Sequence, residues 1–203
     1  QMLAGKPLIH YAVEALCRYA RVQQVFVVLA PGDPHFRQHD WSVFHGKLAT
    51  LYCGGATRAA SVINGLTAMA DVAELDDWVL VHDAARCLVS PESVNRLIET
   101  CRDDTVGGLL ALPLPDTLKQ ADAQGRVSAT LPRGDKWLAQ TPQMFRAGLL
   151  AQALRLANAE VTDEASAIEQ MGLQPRLVQG SRRNLKVTYP EDVAMANALL
   201  EMQ

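Results

Sequence analysis

Asp83 and Arg86 stand three residues apart, directly after the apolar run Trp78-Val79-Leu80-Val81 and His82. A carboxylate held at the end of a buried run can ligate a divalent cation or accept a hydrogen bond from a hydroxyl. A guanidinium close by can bind a phosphate through its planar fork. The plainer alternative is an exposed Asp–Arg pair worth under about 1 kcal/mol. Gly54-Gly55-Ala56-Thr57-Arg58 joins an apolar run to a helical pattern. Two glycines let a ligand approach the backbone, and a helix start offers free N–H donors, although an ordinary strand-to-helix turn has the same look. Lys186 lies inside the short apolar stretch Leu185-Lys186-Val187, so it must point outward or toward an anion. Thr162-Asp163-Glu164 opens a helical pattern, where Thr162 is either an N-cap or a ligand-facing hydroxyl. His82 reads as a structural histidine rather than a base. No Ser/His or His/Asp arrangement suggests nucleophilic catalysis.

These groups need elements to position them. Alternating short apolar runs and helical periodicity mark an α/β protein with a mainly parallel sheet between helices. Leu8, Ile9, Ala12, Val13 and Leu16 recur at helical spacing behind Pro7. Strands are expected at Val25–Leu29, Leu48–Cys53, Trp78–Val81 and Gly107–Leu114, the first and third buried on both faces. Helices are expected at Thr57–Ala70, Ser90–Cys101, Ala147–Ala157 and Thr162–Met171. Short strands follow at Arg176–Val178 and Leu185–Thr188, then a final helix whose Thr188-Tyr189-Pro190-Glu191 matches a capping box. Asp116–Thr130 is polar and carries a Gln124-Gly125 turn, which reads as a hairpin arm projecting from a single domain. In open α/β sheets, ligands bind just beyond the carboxyl ends of strands. That rule selects Gly54-Gly55, Asp83 to Arg86, Pro113-Leu114-Pro115-Asp116 and Lys186. A doubly wound sheet normally starts with a strand, so one is expected to lie before the first helix, outside the given residues.

Composition narrows the classes. Of 203 residues, 49% are hydrophobic and 20% charged, and the net charge of −3 offers no long basic surface for nucleic acid. One or two local cations would still suffice for a nucleotide pocket. Cys17, Cys53, Cys87 and Cys101 form no C-x-x-C pair, so free thiols in a reducing cytoplasm are expected, without a structural metal. No apolar run approaches the roughly 20 residues that a membrane helix needs.

Together the segments go further. Gly54-Gly55-x-x-Arg58-x-x-Ser61-Val62-x-x-Gly65-Leu66 resembles the cytidine-reading element of the methylerythritol phosphate cytidylyltransferases. Val81-His82-Asp83-Ala84-Ala85-Arg86 resembles the same family and is the most specific of the set. Trp137-x-x-x-Thr141-Pro142-Gln143-x-Phe145, Thr162-Asp163-Glu164-Ala165-Ser166 and Asn184-Leu185-Lys186-Val187-Thr188-x-Pro190-Glu191-Asp192 follow in the family's order. The resemblance implies a Rossmann-like nucleotidyltransferase fold, use of CTP and Mg²⁺, and a homodimer made through the Asp116–Thr130 arm. It places Gly54, Gly55 and Ser61 at the cytosine, and Asp83 and Ala84 at the ribose and metal side. Arg86, Thr117, Thr141 and Thr162 fall around the polyol phosphate, with Lys186 and Arg133 positioning its attacking oxygen. Thr117 and Arg133 would reach the partner's site. The family's Gly-rich loop has no match within residues 1–203 and is expected to precede Gln1, and Ala56 stands where some members carry a polar residue. Rival readings are a cytidylyltransferase for another polyol phosphate, such as ribitol phosphate, or a non-catalytic nucleotide-binding homologue. A dinucleotide-dependent oxidoreductase fits less well, because no G-x-G-x-x-G follows an expected strand.

Overall fold

The computed structural model describes residues 1–158 and 161–202. The first element is not a helix but a tight hairpin, β1 (Met2–Leu3) and β2 (Lys6–Pro7), turned at Ala4 and Gly5. In chain order follow α1 (Leu8–Arg18), β3 (Val25–Val28), β4 (Leu48–Leu51), α2 (Arg58–Ala68), β5 (Trp78–Val81) and α3 (Pro91–Cys101). Then come β6 (Gly107–Pro113), the hairpin β7 (Leu118–Ala121) and β8 (Val127–Leu131), and the long β9 (Trp137–Arg146). The chain closes with α4 (Ala147–Leu156), α5 (Glu164–Gln170), β10 (Arg176–Gln179) and α6 (Pro190–Glu201).

One sheet runs in the order β10-β6-β9-β5. β10 pairs in parallel with β6, while β9 is antiparallel to both β6 and β5. β5, β6 and β10 therefore share one direction, and β9 opposes them. The period of two along each strand sends neighbouring side chains to opposite faces. Leu110 and Met144 meet Val94, Leu97, Ile98 and Cys101 of α3 on one face. Leu109 and Phe145 meet Leu150, Ala153 and Leu154 of α4, and Ile168 of α5, on the other. Helices thus cover both faces, as in a doubly wound α/β layer.

β9 had no signal in the apolar pattern, because Gln140, Thr141, Pro142 and Gln143 sit at its centre. All four are buried. The β6 register shifts between Leu109, opposite Gln143, and Ala111, opposite Ala139. This bulge lets Pro142 sit in an internal strand without owing a ladder hydrogen bond.

Three further expectations are corrected. Leu185–Thr188 is not a strand: it runs beside residue 85, held by a hydrogen bond from the Val187 N–H to the Ala85 carbonyl at 2.8 Å. α6 does open on a capping box, but one residue later than expected: Tyr189 is the N-cap, and Asp192 at the third helical position accepts from the N–H groups of Thr188 and Tyr189 at 2.8 Å each. The acid lies one residue beyond the expected Glu191. β5 is only half-buried along its length, as are Phe26 and Val28 of β3. The cause is a cavity of about 860 Å³ between β5 and β3, with α1 and α2 forming its walls. β3 and β4 pair in parallel as a separate piece, so β3 and β5 each leave one edge unpaired along this cavity.

The hairpin β7–β8 stands away from the sheet and is almost wholly exposed. Asp122 organises its turn by accepting from the Gln124 and Arg126 N–H groups, and Gly125 takes the positive φ of 77° that closes it. Among the described residues, no helix is long and apolar enough to cross a membrane.

Candidate active site

β5 delivers the chain to Asp83, whose carboxylate and backbone are held by three residues. Arg58 Nε donates to Oδ1 at 2.9 Å, and Lys186 Nζ lies 3.0 Å from Oδ2. The Asp83 N–H donates to Thr141 Oγ1 at 3.0 Å. Burial alone would push the Asp83 carboxyl up, but Arg58 and Lys186 more than offset it and hold the group below the ordinary carboxylate range. Asp83 is mostly covered while Lys186 stays 48% exposed, so the cation faces the cleft with a fixed anion behind it.

Arg58 is the first residue of α2, where Thr57 caps the helix through the Ala60 N–H. A cation there opposes the helix dipole and needs a compensating anion. The anion is Glu164, fully buried at the start of α5, whose two oxygens accept from Arg58 at 2.5 and 2.9 Å. Burial pulls the guanidinium down, yet the bonds to Glu164 and Asp83 win and keep it above its ordinary value. α5 itself is capped by Asp163, which accepts from the Ser166 N–H at 2.9 Å. The cap is therefore Asp163, not Thr162; Thr162 is exposed, and its N–H donates to Ser166 Oγ.

His82 proves structural. Its Nε2 lies 3.0 Å from the Arg86 carbonyl, which can only accept, so Nε2 carries the proton. Nδ1 is then the acceptor for the Thr141 hydroxyl at 2.9 Å. Desolvation pulls this histidine down to about 4, consistent with a neutral ring. Thr141 thus spends its proton on His82 and a lone pair on the Asp83 N–H, which locks the loop.

Arg86 was expected at a phosphate. Its terminal nitrogens instead donate to the Asn184 carbonyl at 2.7 Å and the Ala139 carbonyl at 3.2 Å. It clips the residue 184 turn to β9, and so governs where Lys186 goes. Asn184, fully buried, donates to the Thr141 carbonyl at 2.7 Å, and Gln140 Nε2 donates to the Ser181 carbonyl at 3.0 Å. Gln143 ties β9 to α5 by donating to Asp163 and accepting from the Ala165 N–H.

Gly54 and Gly55 are required by packing. A Cβ at Gly54 would meet the Leu29 carbonyl oxygen at 2.9 Å, and one at Gly55 would meet Ala60 Cβ at 2.6 Å. Ser61 Oγ accepts from the Gly55 N–H at 3.0 Å and donates to the Thr57 carbonyl at 2.9 Å, which shapes this loop. Ser61, Arg58, Asp83, Ala84 and Lys186 line the large cavity beyond the carboxyl end of β5. Ala84 is exposed beside Asp83. Thr117 and Arg133 sit at the two roots of the exposed hairpin, and neither side chain makes a hydrogen bond or ion pair among the described residues. The structure therefore brings together Asp83, Ala84, Ser61, Thr141 and Lys186, with Arg86 alongside, and leaves Thr117 and Arg133 apart.

A divalent cation fits this site on limited terms. Among the described residues no three His, Cys, Asp or Glu side chains cluster. Glu164 is engaged with Arg58 through both oxygens, which leaves Asp83 as the carboxylate beside Lys186. Each Asp83 oxygen has one partner and keeps a further lone pair. One carboxylate plus substrate phosphate oxygens is a common Mg²⁺ arrangement.

Arg58 and Glu164 carried no assigned role in the sequence. A cation opening a helix was the available signal for Arg58; nothing marked Glu164 as buried.

Residues 1–202 match the profile of the family described as 2-C-methyl-D-erythritol 4-phosphate cytidylyltransferase. A relative of that name from Nitrosomonas eutropha is 54% identical over 200 residues, covering 98% of this chain and 86% of the relative. A "Bifunctional enzyme IspD/IspF" from Albidiferax ferrireducens is 53% identical over 201 residues, but this chain spans only 47% of its length. Among solved structures, a 4-diphosphocytidyl-2C-methyl-D-erythritol synthase superposes with a TM-score of 0.91 at 40% identity, covering 98% of this chain and 92% of that one. The 2-C-methyl-D-erythritol 4-phosphate cytidylyltransferase of Thermus thermophilus gives 0.81 at 32% identity, with coverage of 98% and 92%.

Proposed function

This chain belongs to the 2-C-methyl-D-erythritol 4-phosphate cytidylyltransferase family, and on that premise we propose how its residues divide the work. It is a nucleotidyltransferase that moves CMP from CTP to 2-C-methyl-D-erythritol 4-phosphate in isoprenoid biosynthesis. A phosphate oxygen of the acceptor bonds to the α-phosphorus of CTP. The bond from that phosphorus to the bridging oxygen breaks, and pyrophosphate leaves with the electron pair. The nucleophile is already an ionised phosphate oxygen, so no general base is needed, in keeping with a neutral, internally bonded His82.

The difficulty is repulsion between two polyanions, and cations must offset it. Lys186 is the cation that faces the cleft, and its placement beside Asp83 is the single observation that carries this reading. Gly54, Gly55 and Ser61 form the loop assigned to the cytosine, and Asp83 and Ala84 the ribose side. Asp83 would also hold Mg²⁺, which when bound neutralises charge on the triphosphate. Thr141 and Arg86 act through the loops that carry Asp83 and Lys186, while Thr162 offers an exposed hydroxyl to the acceptor. Thr117 and Arg133 serve the partner's site in a homodimer formed through β7–β8; their exposure, and their lack of side-chain partners among the described residues, support this. The Gly-rich phosphate loop implied by the resemblance would enter beside the unpaired edges of β3 and β5, at the end of the cavity that Asp83 and Lys186 line. The four free cysteines support work in a reducing cytoplasm.

The test is steady-state pyrophosphate release by the full-length protein with CTP, Mg²⁺ and methylerythritol phosphate. Lys186→Ala and Arg133→Ala should each lower kcat/KM roughly 10²–10³-fold, by analogy with loss of one preorganised donor. Near-normal turnover in either variant would remove that residue from its role. Ribitol phosphate, the rival acceptor, should support little release.

A further inference from the structure

We propose that Arg58, gripped from behind by Glu164, is the residue that sets the position of the Asp83 carboxylate, so that Arg58 and Glu164 are positioning residues of this site. The proposal rests on the reading of Asp83 as part of the active site. Its basis is a row of alternating charges: Glu164, Arg58, Asp83 and Lys186. The guanidinium uses its forked end on both Glu164 oxygens, at 2.5 and 2.9 Å, and its Nε on Asp83 Oδ1 at 2.9 Å. Asp83 Oδ2 then meets Lys186 at 3.0 Å. Both edges of a rigid planar group are occupied by carboxylates, so the plane of Arg58 fixes the direction from which Asp83 is held.

Glu164 can act as the fixed end because its surroundings are tied to the sheet. It is 0% exposed and lies in the first turn of a helix capped by Asp163. Gln143 fastens that first turn to the central strand β9 through Asp163 and the Ala165 N–H, each at 2.8 Å. Burial raises the Glu164 carboxyl above its ordinary value, and the bidentate guanidinium opposes that shift. Arg58 is also the first residue after the Gly54–Thr57 loop. The same side chain therefore fastens the nucleotide loop, the Asp83 loop and the start of α5 to one another. An ion pair kept only for stability would not need the third bond, since a buried pair is often replaceable by neutral groups.

The experiment is a cycle built on that replaceability. Arg58→Gln/Glu164→Gln removes both charges together and leaves no buried ion unpaired, so the protein should fold with a melting temperature near the parent's. Its kcat/KM should fall on the order of 10–100-fold, the usual cost of losing an outer support of a functional ligand. Placed on Asp83→Asn, which should itself be strongly impaired, the same pair of changes should cost less than about 3-fold more, because its effect runs through Asp83. Unchanged kcat/KM in the double variant would overturn the proposal, as would a full additional loss on the Asp83→Asn background. Should the double variant unfold, Glu164→Gln alone carries the same cycle with the same outcomes. If Asp83→Asn retains normal activity, the reading of Asp83 fails instead, and the two failures are distinguishable.

Discussion

Both ring nitrogens of His82, at the Asp83 loop, have a stated partner, and that makes its protonation state testable. Its folded value, about 4, lies below the 6.5 of an unhindered histidine, because desolvation penalises the charged ring. The neutral form therefore favours the folded state. This contribution is fully present above the unfolded value and is lost as the pH falls from 6.5 through about 4. The slope is at most about 1.4 kcal/mol per pH unit. His82→Gln should flatten the decline in unfolding free energy between about pH 7 and about pH 5, measured by urea titration. Parallel declines in parent and variant would show that His82 does not titrate in this way. At this scale the sequence was legible where a residue's type alone constrains it: a carboxylate after a buried strand, a lysine in an apolar stretch, a histidine without a catalytic partner. It was not legible where function depends on which of several acceptors a side chain chooses. Arg86 looked like a phosphate ligand, and only the folded chain offers it the carbonyls of Ala139 and Asn184.

The elements that carry these residues were mostly readable from period and punctuation. α1, α2, α3 and α4 lie within a few residues of their expected spans, because apolar spacing and caps such as Ser90 and Thr57 act locally. β9 was hidden for the opposite reason. Its centre is polar, and its buried amides are satisfied by α5 and by the turn at residues 181–184, partners distant in sequence. Leu185–Thr188 misled by being apolar and extended, yet it finds no strand to pair with. The β7–β8 hairpin yields a prediction at this scale. If its roots serve a partner's site, Lys186→Ala and Arg133→Ala impair complementary halves of each composite site. Two impaired variants, mixed and allowed to exchange subunits, should then recover about a quarter of the parent's specific activity, since half the dimers are mixed and each has one intact site. No recovery above the separate variants, despite verified exchange, would place both residues in the same protomer's site.

At the scale of the molecule, helices cover both faces of a sheet that ends at one charged cluster. Arg58, Ser61, His82, Asp83 and Lys186 line the cavity beyond the carboxyl end of β5, Arg21, Gln23, Gln24 and Asp77 line it before β3 and β5, and its remaining walls are largely apolar. The motifs revealed the family because they occur in order along the whole chain, whereas the split between the β3–β4 pair and the main sheet is a matter of pairing that no local pattern encodes. The reaction of this family joins CTP to methylerythritol phosphate, and we expect the cleft to accept no other nucleoside triphosphate. Initial-rate pyrophosphate release by the full-length protein with Mg²⁺ and methylerythritol phosphate, run in parallel with CTP, ATP, GTP and UTP, tests this without intermediaries. Release should be rapid with CTP and at least about 100-fold slower with the others, the discrimination expected when buried polar groups read one base. Comparable release with another nucleotide, or none with CTP, would contradict it.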